Sequence, residues 1–300
     1  MSTETETQYN PAKGFAYALA GTLAVSTNFV TAKYGTKGFD PATFSLVWTA
    51  SAAFYCLTAL AVSGRLKDLV IPRRSGLMIV LLGASTGVGM LAQWAALKRL
   101  DPSFAAFLGR FAPVLAILLG GLVLRERLGA LELCALGLMV AGGVISTVGR
   151  WHVVGLGTVL MLIGCTASAV QMLLAKMQSS KMHPDALVFY RVAGGTCFIA
   201  VWVFGTGAAQ FHVPPRYWVV TLVGAFLGPF TSFLLTFRAY RSWELSRAAV
   251  VRTAEPLFVL PMAYVAFGTL PAGRELFGGL LILVGALWIA WIHFIRGKAK

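Results

Sequence analysis

The chain has 300 residues; 58% are apolar, 12% are charged and the mean hydropathy is +0.77. Soluble domains carry about 25% charge, so this composition excludes a water-soluble globular protein and places the chain in a bilayer. The net charge of +14 does not mark a nucleic-acid binder, because the basic residues lie in the breaks between apolar runs and form no continuous stripe.

Residues 1–13 form a polar tail with Glu4 and Glu6. The tail lacks the basic start of a cleavable signal, so the first apolar run is expected to stay. Crossing a bilayer takes about 20 helical residues. Runs of that size fall near 14–35, 42–63, 76–97, 102–124, 129–149, 154–177, 185–206, 217–237, 244–267 and 275–294. The expected fold is therefore all-α and integral to the membrane, with ten transmembrane helices, short connections and a basic tail at 295–300.

Within the first run Ser26, Thr27, Asn28 and Thr31 place polar groups in the membrane. The second run carries Phe44, Trp48, Ser51 and Tyr55 on one helix face. The third has Gly83, Gly87 and Gly89, a spacing that permits close backbone approach or motion, and Gln93 and Trp94 near its end. The fourth has a stripe of Phe104, Phe107 and Phe111, with Arg110 three residues before Pro113. The fifth and tenth hold glycines (Gly137, Gly142, Gly143; Gly278, Gly279, Gly285) and no central charge, as in a peripheral scaffold or dimer face. Gln171 lies in the sixth run and Arg191 in the seventh, with Gly224, Gly228 and Pro229 in the eighth. The ninth contains Arg247, Arg252 and Glu255-Pro256.

The two halves repeat. Gly14 falls on Gly157, a shift of 143 residues, and the same shift carries Gly21 to Gly164, Pro41 to Pro184, Pro113 to Pro256, Glu132 to Glu275 and Gly142 to Gly285. It also carries Asn28 to Gln171 and Trp48 to Arg191. The third run slips by two residues, so that Gly83 and Gly87 meet Gly224 and Gly228. The repeats span 14–149 and 154–294. Five crossings per repeat put the second copy in the membrane upside down, the arrangement secondary transporters use to open one site to either side. The tails and even-numbered connections hold fourteen Lys and Arg against seven in the odd-numbered ones. That bias puts both termini in the cytoplasm.

Arg110, Arg191, Arg247 and Arg252 lie inside apolar runs together with Glu255. A charge at mid-membrane costs about 2.5–3.5 kcal/mol, so each needs a partner, a wet cavity or an end position. Arg247, near a run's start, is expected to snorkel. Arg252 and Glu255, three apart on one helix face, are expected to pair, as a structural ion pair, a substrate or proton site, or both. Pro113 and Pro256 each interrupt a helix beside a charge. Trp48 facing Arg191 across a cavity suits a substrate with a ring and a carboxylate; packing explains such aromatics as well. Asn28 and Gln171 fit either interhelical hydrogen bonds or substrate head groups. Cys56, Cys134, Cys165 and Cys197 stand singly in separate runs, without metal or disulfide spacing. The histidines make no ligand set, and no GxxxxGK[ST] loop is present.

Phe111-Ala-Pro113 through Leu122-Val-Leu-Arg-Glu126-Arg-Leu128, followed by Gly137 and Gly142, resembles the signature of the drug/metabolite transporter superfamily, EamA type. Glu255-Pro256 is similar to the same signature in a second unit, and Ser26 to Lys33 is similar to the family's first-helix motif. The signature's loop glutamate is Glu126 in the first unit, and Thr269 stands at the matching place in the second. The whole chain most resembles the bacterial aromatic amino acid exporter branch. The resemblance implies a central cavity between helices 1–4 and 6–9 and export from the cytoplasm across the inner membrane.

The functional expectation is an exporter of amino acids, aromatic and other apolar ones included, working by alternating access without a cofactor. Asn28 and Gln171 would hold head groups, and Arg110, Arg191 or Arg252 the carboxylate. Trp48, Tyr55, Trp94 and Phe107 would line the side-chain region. Glu255 is the candidate for proton coupling, with facilitated diffusion equally open. Gly83, Gly87, Pro113, Gly228, Pro229 and Pro256 are the hinge candidates. Partners would be amino acids and lipid, with a homo-oligomer left open. Efflux of drugs or other toxic metabolites is the alternative. An intramembrane enzyme is the rival from another class, and no run carries the paired carboxylates or Cys/His pair it would need.

Overall fold

The computed structural model describes residues 11–70, 75–112, 114–116, 119, 129–147, 155–178, 182–232, 234–235, 239, 251–252 and 254–298. Among these residues the chain is helical and has no strand. The helices are α1 (Pro11–Gly35), α2 (Pro41–Val62), α3 (Gly76–Arg99), α4 (Pro102–Leu108), α5 (Ala130–Thr147), α6 (Leu156–Gln178), α7 (Pro184–Gly205), α8 (Pro215–Ala225), α9 (Glu255–Phe267) and α10 (Gly273–Lys298). A π-helix at Phe226–Ser232 continues α8. By length and apolarity, α1, α2, α3, α6 and α7 each suffice to cross a membrane.

The repeat recurs at the level of individual hydrogen bonds. Asp40 caps α2 by accepting from the Ala42 amide at 3.0 Å, and His183, 143 residues on, caps α7 by accepting from Asp185 at 3.3 Å. Each cap is followed by a proline in the first turn, where the missing N–H costs nothing and φ is already helical. The same helices end alike. Gly64 and Gly207 both take φ near +65°, with 65° and 66° respectively. The next amide, of Arg65 or Ala208, bonds back to the carbonyl of Leu60 or Val203. This is the Schellman stop, and a left-handed residue without a side chain is what it asks for. Likewise Glu132 accepts from the Gly129 amide at 2.5 Å at the start of α5, and Glu275 accepts from Ala272 at 3.0 Å at the start of α10.

Three of the expected runs are interrupted. α4 stops at Leu108, and Gly109 and Arg110 form a turn before helix resumes. The proline ring of Pro113 would collide with the Gly109 carbonyl in a continuous helix. Pro113 itself lies outside the described residues. α9 starts at Glu255 after a turn at Ala254, and Pro256 occupies a first-turn position. α8 widens into the π-helix around Pro229, a local adjustment that re-satisfies carbonyls a proline leaves open.

Small residues set the helix crossings. Gly83 of α3 lies so close to Gly194 of α7 that a Cβ on Gly83 would sit 2.8 Å from the Gly194 backbone. Gly87 faces the Phe198 ring, and Gly164 of α6 faces Gln93 and the Gly89 carbonyl of α3. Gly142 of α5 meets Gly278 of α10 at backbone contact. α3 thus lies between α6 and α7, while α5 and α10 pack on each other and α1 packs on α8, α9 and the π-helix.

Candidate functional site

The two helix breaks meet. Arg110, in the turn after α4, donates Nη2 to Glu255 Oε2 at 2.6 Å and Nη1 to the Arg252 carbonyl at 3.1 Å. Their side chains are 11% and 5% exposed, so the pair is inside the protein. Each charge also sits at the helix end that favours its sign: the guanidinium past the C-terminus of α4, the carboxylate in the first turn of α9. Here the structure corrects the sequence reading. Glu255 takes Arg110 from the other half as its partner, not Arg252 on its own helix. The i,i+3 spacing permitted the local pair, but the turn at Ala254 places Arg252 before the helix that Glu255 begins, and Arg252 contributes its carbonyl. Ser26 of α1 reaches the Glu255 carbonyl at a long 3.4 Å.

Asn28, one turn of α1 away from Thr31, is seated against Gly228 of the π-helix; a Cβ at that glycine would overlap its amide. The Asn28 Oδ1 is buried and has no hydrogen-bond partner among the described residues. Its counterpart Gln171 of α6 is also buried. Gln171 donates Nε2 to the Ser85 carbonyl at 3.3 Å and accepts from Arg191 Nη1 at 3.4 Å. Gln93 donates to Ser168 at 3.0 Å, which ties α3 to α6.

The aromatic candidates gather toward one end. Trp48 lies tilted at 5.2 Å from Phe44 and edge-on at 5.3 Å from Trp94, and Phe39 meets Trp218 edge-on at 5.0 Å. Trp48, Trp94, Phe39 and Phe44 are all buried. The Trp94 indole nitrogen has no partner among the described residues. Tyr34 packs on Tyr217 at 5.4 Å in the same region. Together these rings close the end of the bundle that carries the α1–α2, α3–α4 and α7–α8 connections. Tyr55 lies further along α2, against Phe226 and Phe230 of the π-helix, with its hydroxyl 3.4 Å from the Leu222 carbonyl. Phe107 is fully buried with its ring on Gly279 of α10, and a ring so enclosed leaves no face for a ligand in this conformation.

Lys33, the last residue of the first-helix motif, counted in the sequence among the cations of the odd-numbered connections. It lies within α1, and its ammonium donates to the carbonyls of Leu97 at 2.7 Å, Lys98 at 3.0 Å and Leu100 at 2.7 Å. All three hydrogens are used, and they cap the C-terminus of α3 where cations are favoured. Tyr34, Phe39, Tyr217 and Trp218, the members of the seal not singled out beforehand, had no signal beyond the general placing of aromatics near membrane interfaces. Pro113, Glu126 and Arg247 lie outside the described residues.

Two cavities are lined by none of Arg110, Glu255, Asn28 and Trp48. One, of about 70 Å³, is lined by Cys56, Asp185 and Pro229 among others. The other, of about 790 Å³, runs along α3 near Lys98 and Arg99. No group of three or more His, Cys, Asp or Glu suited to a metal occurs among the described residues.

The molecule is thus an all-helical, multi-pass membrane protein built from two copies of one unit, with a charge pair joining the copies. The profile of the EamA-like transporter family matches residues 12–148 and again 155–291, two stretches that begin 143 residues apart. The chain belongs to the EamA-like transporter family, a family of drug and metabolite transporters. No curated protein matches it. A crystallographically determined protein chain is similar over 94% of this chain and 98% of its own length, with a TM-score of 0.62 and 16% identity, a likeness of fold.

Proposed function

We propose that this chain is a secondary transporter that exports amino acids, aromatic and other apolar ones foremost, and related metabolites across a bacterial inner membrane by alternating access. Ten crossings in an inverted five-plus-five repeat, with both termini in the cytoplasm, belong to the same reading. The packing supports it through an exchange relation. α3 packs on α6 and α7, and its counterpart α8 packs on α1 and α2. A pseudo-two-fold relation between halves produces such pairs. Helix ends also meet in kind: Thr269 bonds Asp101 at 3.2 Å between two odd-numbered connections, and Arg65 of an even-numbered connection bonds Asp185 at 2.6 Å in the first turn of α7, which follows another.

The observation that carries the reading is the buried Asn28 carbonyl, without a partner among the described residues, at the same inter-half seam as the Arg110–Glu255 pair. An orphaned acceptor costs about 1–3 kcal/mol, which a substrate ammonium would recover. Asn28 and Gln171 then hold the head group, with Arg191 or Arg252 meeting the carboxylate. Trp48, Tyr55 and Trp94 offer aromatic surface when the seal opens. Arg110 serves as a gate partner of Glu255, since its guanidinium is already engaged. Gly83, Gly87, Gly228, Pro229 and Pro256 stand where helices cross closely or break, and flex there; Pro113 is the remaining hinge candidate. Efflux of cationic compounds is the weaker reading, because the Glu255 carboxylate already has its cation.

The test is counterflow of labelled amino acids in proteoliposomes, with and without a pH gradient. Saturable flux with KM raised in Asn28→Ala supports amino acid transport. Saturable flux of an organic cation with none for any amino acid overturns it.

A further inference from the structure

We infer that the long cavity along α3 is a lipid site, and that it holds one acyl chain of a phospholipid whose headgroup carries an ammonium beside its phosphate. The cavity is a trough of about 790 Å³, within the roughly 300–1,000 Å³ of ordinary ligand sites. Its floor is one face of α3, where Ala92 and Ala95 leave space that larger residues would fill. Its walls are Leu160 of α6 and the half-exposed Phe198 and Trp202 of α7. Those helices flank α3 on either side, so the trough opens outward from the bundle and away from the Arg110–Glu255 seam.

Length and charge identify the occupant. The trough runs from Val88 to Arg99. At about 1.5 Å per residue that is roughly 16 Å, close to half of a hydrocarbon core about 30 Å thick. α3 spans Gly76–Arg99, so Val88 lies at mid-height and Arg99 at the end. The trough therefore covers one leaflet from its headgroup level to its midplane. The apolar end is deep and the charges are shallow. Lys98 and Arg99 are exposed at the rim. Arg99 spends one donor on the Ala95 carbonyl at 3.1 Å and has four left. Two cations beside each other match a phosphate. Asp40, the cap of α2, lies on the same rim and supplies a carboxylate for an ammonium. A zwitterionic ethanolamine head satisfies all three charges.

The site depends on the chain lying in a membrane and is independent of the amino acid reading, because its readout is bound lipid. The full chain, purified in mild detergent, is offered phosphatidylethanolamine or phosphatidylglycerol and examined by native mass spectrometry. One retained phosphatidylethanolamine per chain is expected. Its retention should fall about tenfold in Lys98→Gln/Arg99→Gln, the effect of losing a charge-assisted contact, and comparably in Ala95→Phe, which fills the floor. Asp40→Asn keeps the helix cap and should abolish the preference for the ethanolamine head. The rim variant is exposed and leaves the Lys33 cap intact, since that cap uses only the Lys98 carbonyl. Unchanged retention in both trough variants overturns the site. Equal retention of both lipids by the parent chain overturns the ammonium assignment. A dimer that Ala95→Phe dissociates, with no lipid bound, would mean that a second copy of the chain fills the trough and would overturn the proposal.

Discussion

The third helix of each half began as the same segment, and the two copies have diverged in an instructive way. α3 runs unbroken from Gly76 to Arg99, and its glycines bring it against the Gly194 backbone and the Phe198 ring of α7. α8 stops at Ala225, turns into a π-helix around Pro229, and uses Gly228 to receive the Asn28 amide. The same glycine spacing makes apolar packing in one half and a polar seat in the other. The fourth helices diverge as well. Glu255 has no counterpart in the first half, where Ala112 stands at its place, two residues after Arg110. The first half has no carboxylate at that place, and the second half's own Arg252 does not take the pairing. Duplication supplied the framework, and complementary divergence placed the charges at the seam.

Breaking that seam should have the largest effect. Arg110→Ala leaves the buried Glu255 carboxylate uncompensated, at a cost of about 3–5 kcal/mol. Thermal unfolding in detergent should show it, and Arg110→Leu/Glu255→Leu should regain most of the loss. A single variant as stable as the parent would mean that water or lipid reaches the carboxylate. Next comes Gly83→Val, which forces α3 from α7 and should destabilise by about 1–3 kcal/mol. Gly228→Ala instead displaces Asn28, so it should impair amino acid flux more than stability. Equal effects of the two on flux would erase the distinction between the packing glycine and the polar seat.

The helix stops sharpen the comparison from the other side, because they have not diverged. Gly64→Ala and Gly207→Ala each put a side chain into the left-handed region, at about 1–2 kcal/mol. The two penalties should agree closely; a clear inequality would show that the symmetry is only geometric. The smallest effect is expected for Arg65→Ala. Its bridge to Asp185 is about a third exposed on each side, so its loss should change stability by less than about 1 kcal/mol.

Much of the framework was readable along the chain because it is local. Pro41 after Asp40, Pro102 after Asp101 and Pro184 after His183 begin helices where the apolar runs begin, since cap and proline act within one turn. Apolar length required the membrane, and the 143-residue shift exposed the duplication. The ionisable residues at mid-membrane were readable too, because so few interrupt the apolar runs. Their partners were not. Arg252 was the nearer choice for Glu255 in sequence, but a helix break and the arrival of α4 gave the place to Arg110. Trp48, Trp94 and Phe107 looked like a lining and are packed inside, because a helix wheel shows which residues share a face and not what covers it. The bilayer as solvent, the repeated unit and the helix ends are effects of composition or of a few adjacent residues, and so can be read along the chain. Which charge meets which, which buried amide lacks a partner among the described residues and which rings close the end of the bundle follow instead from how the helices cross, because those contacts join different helices, 145 residues apart for Arg110 and Glu255.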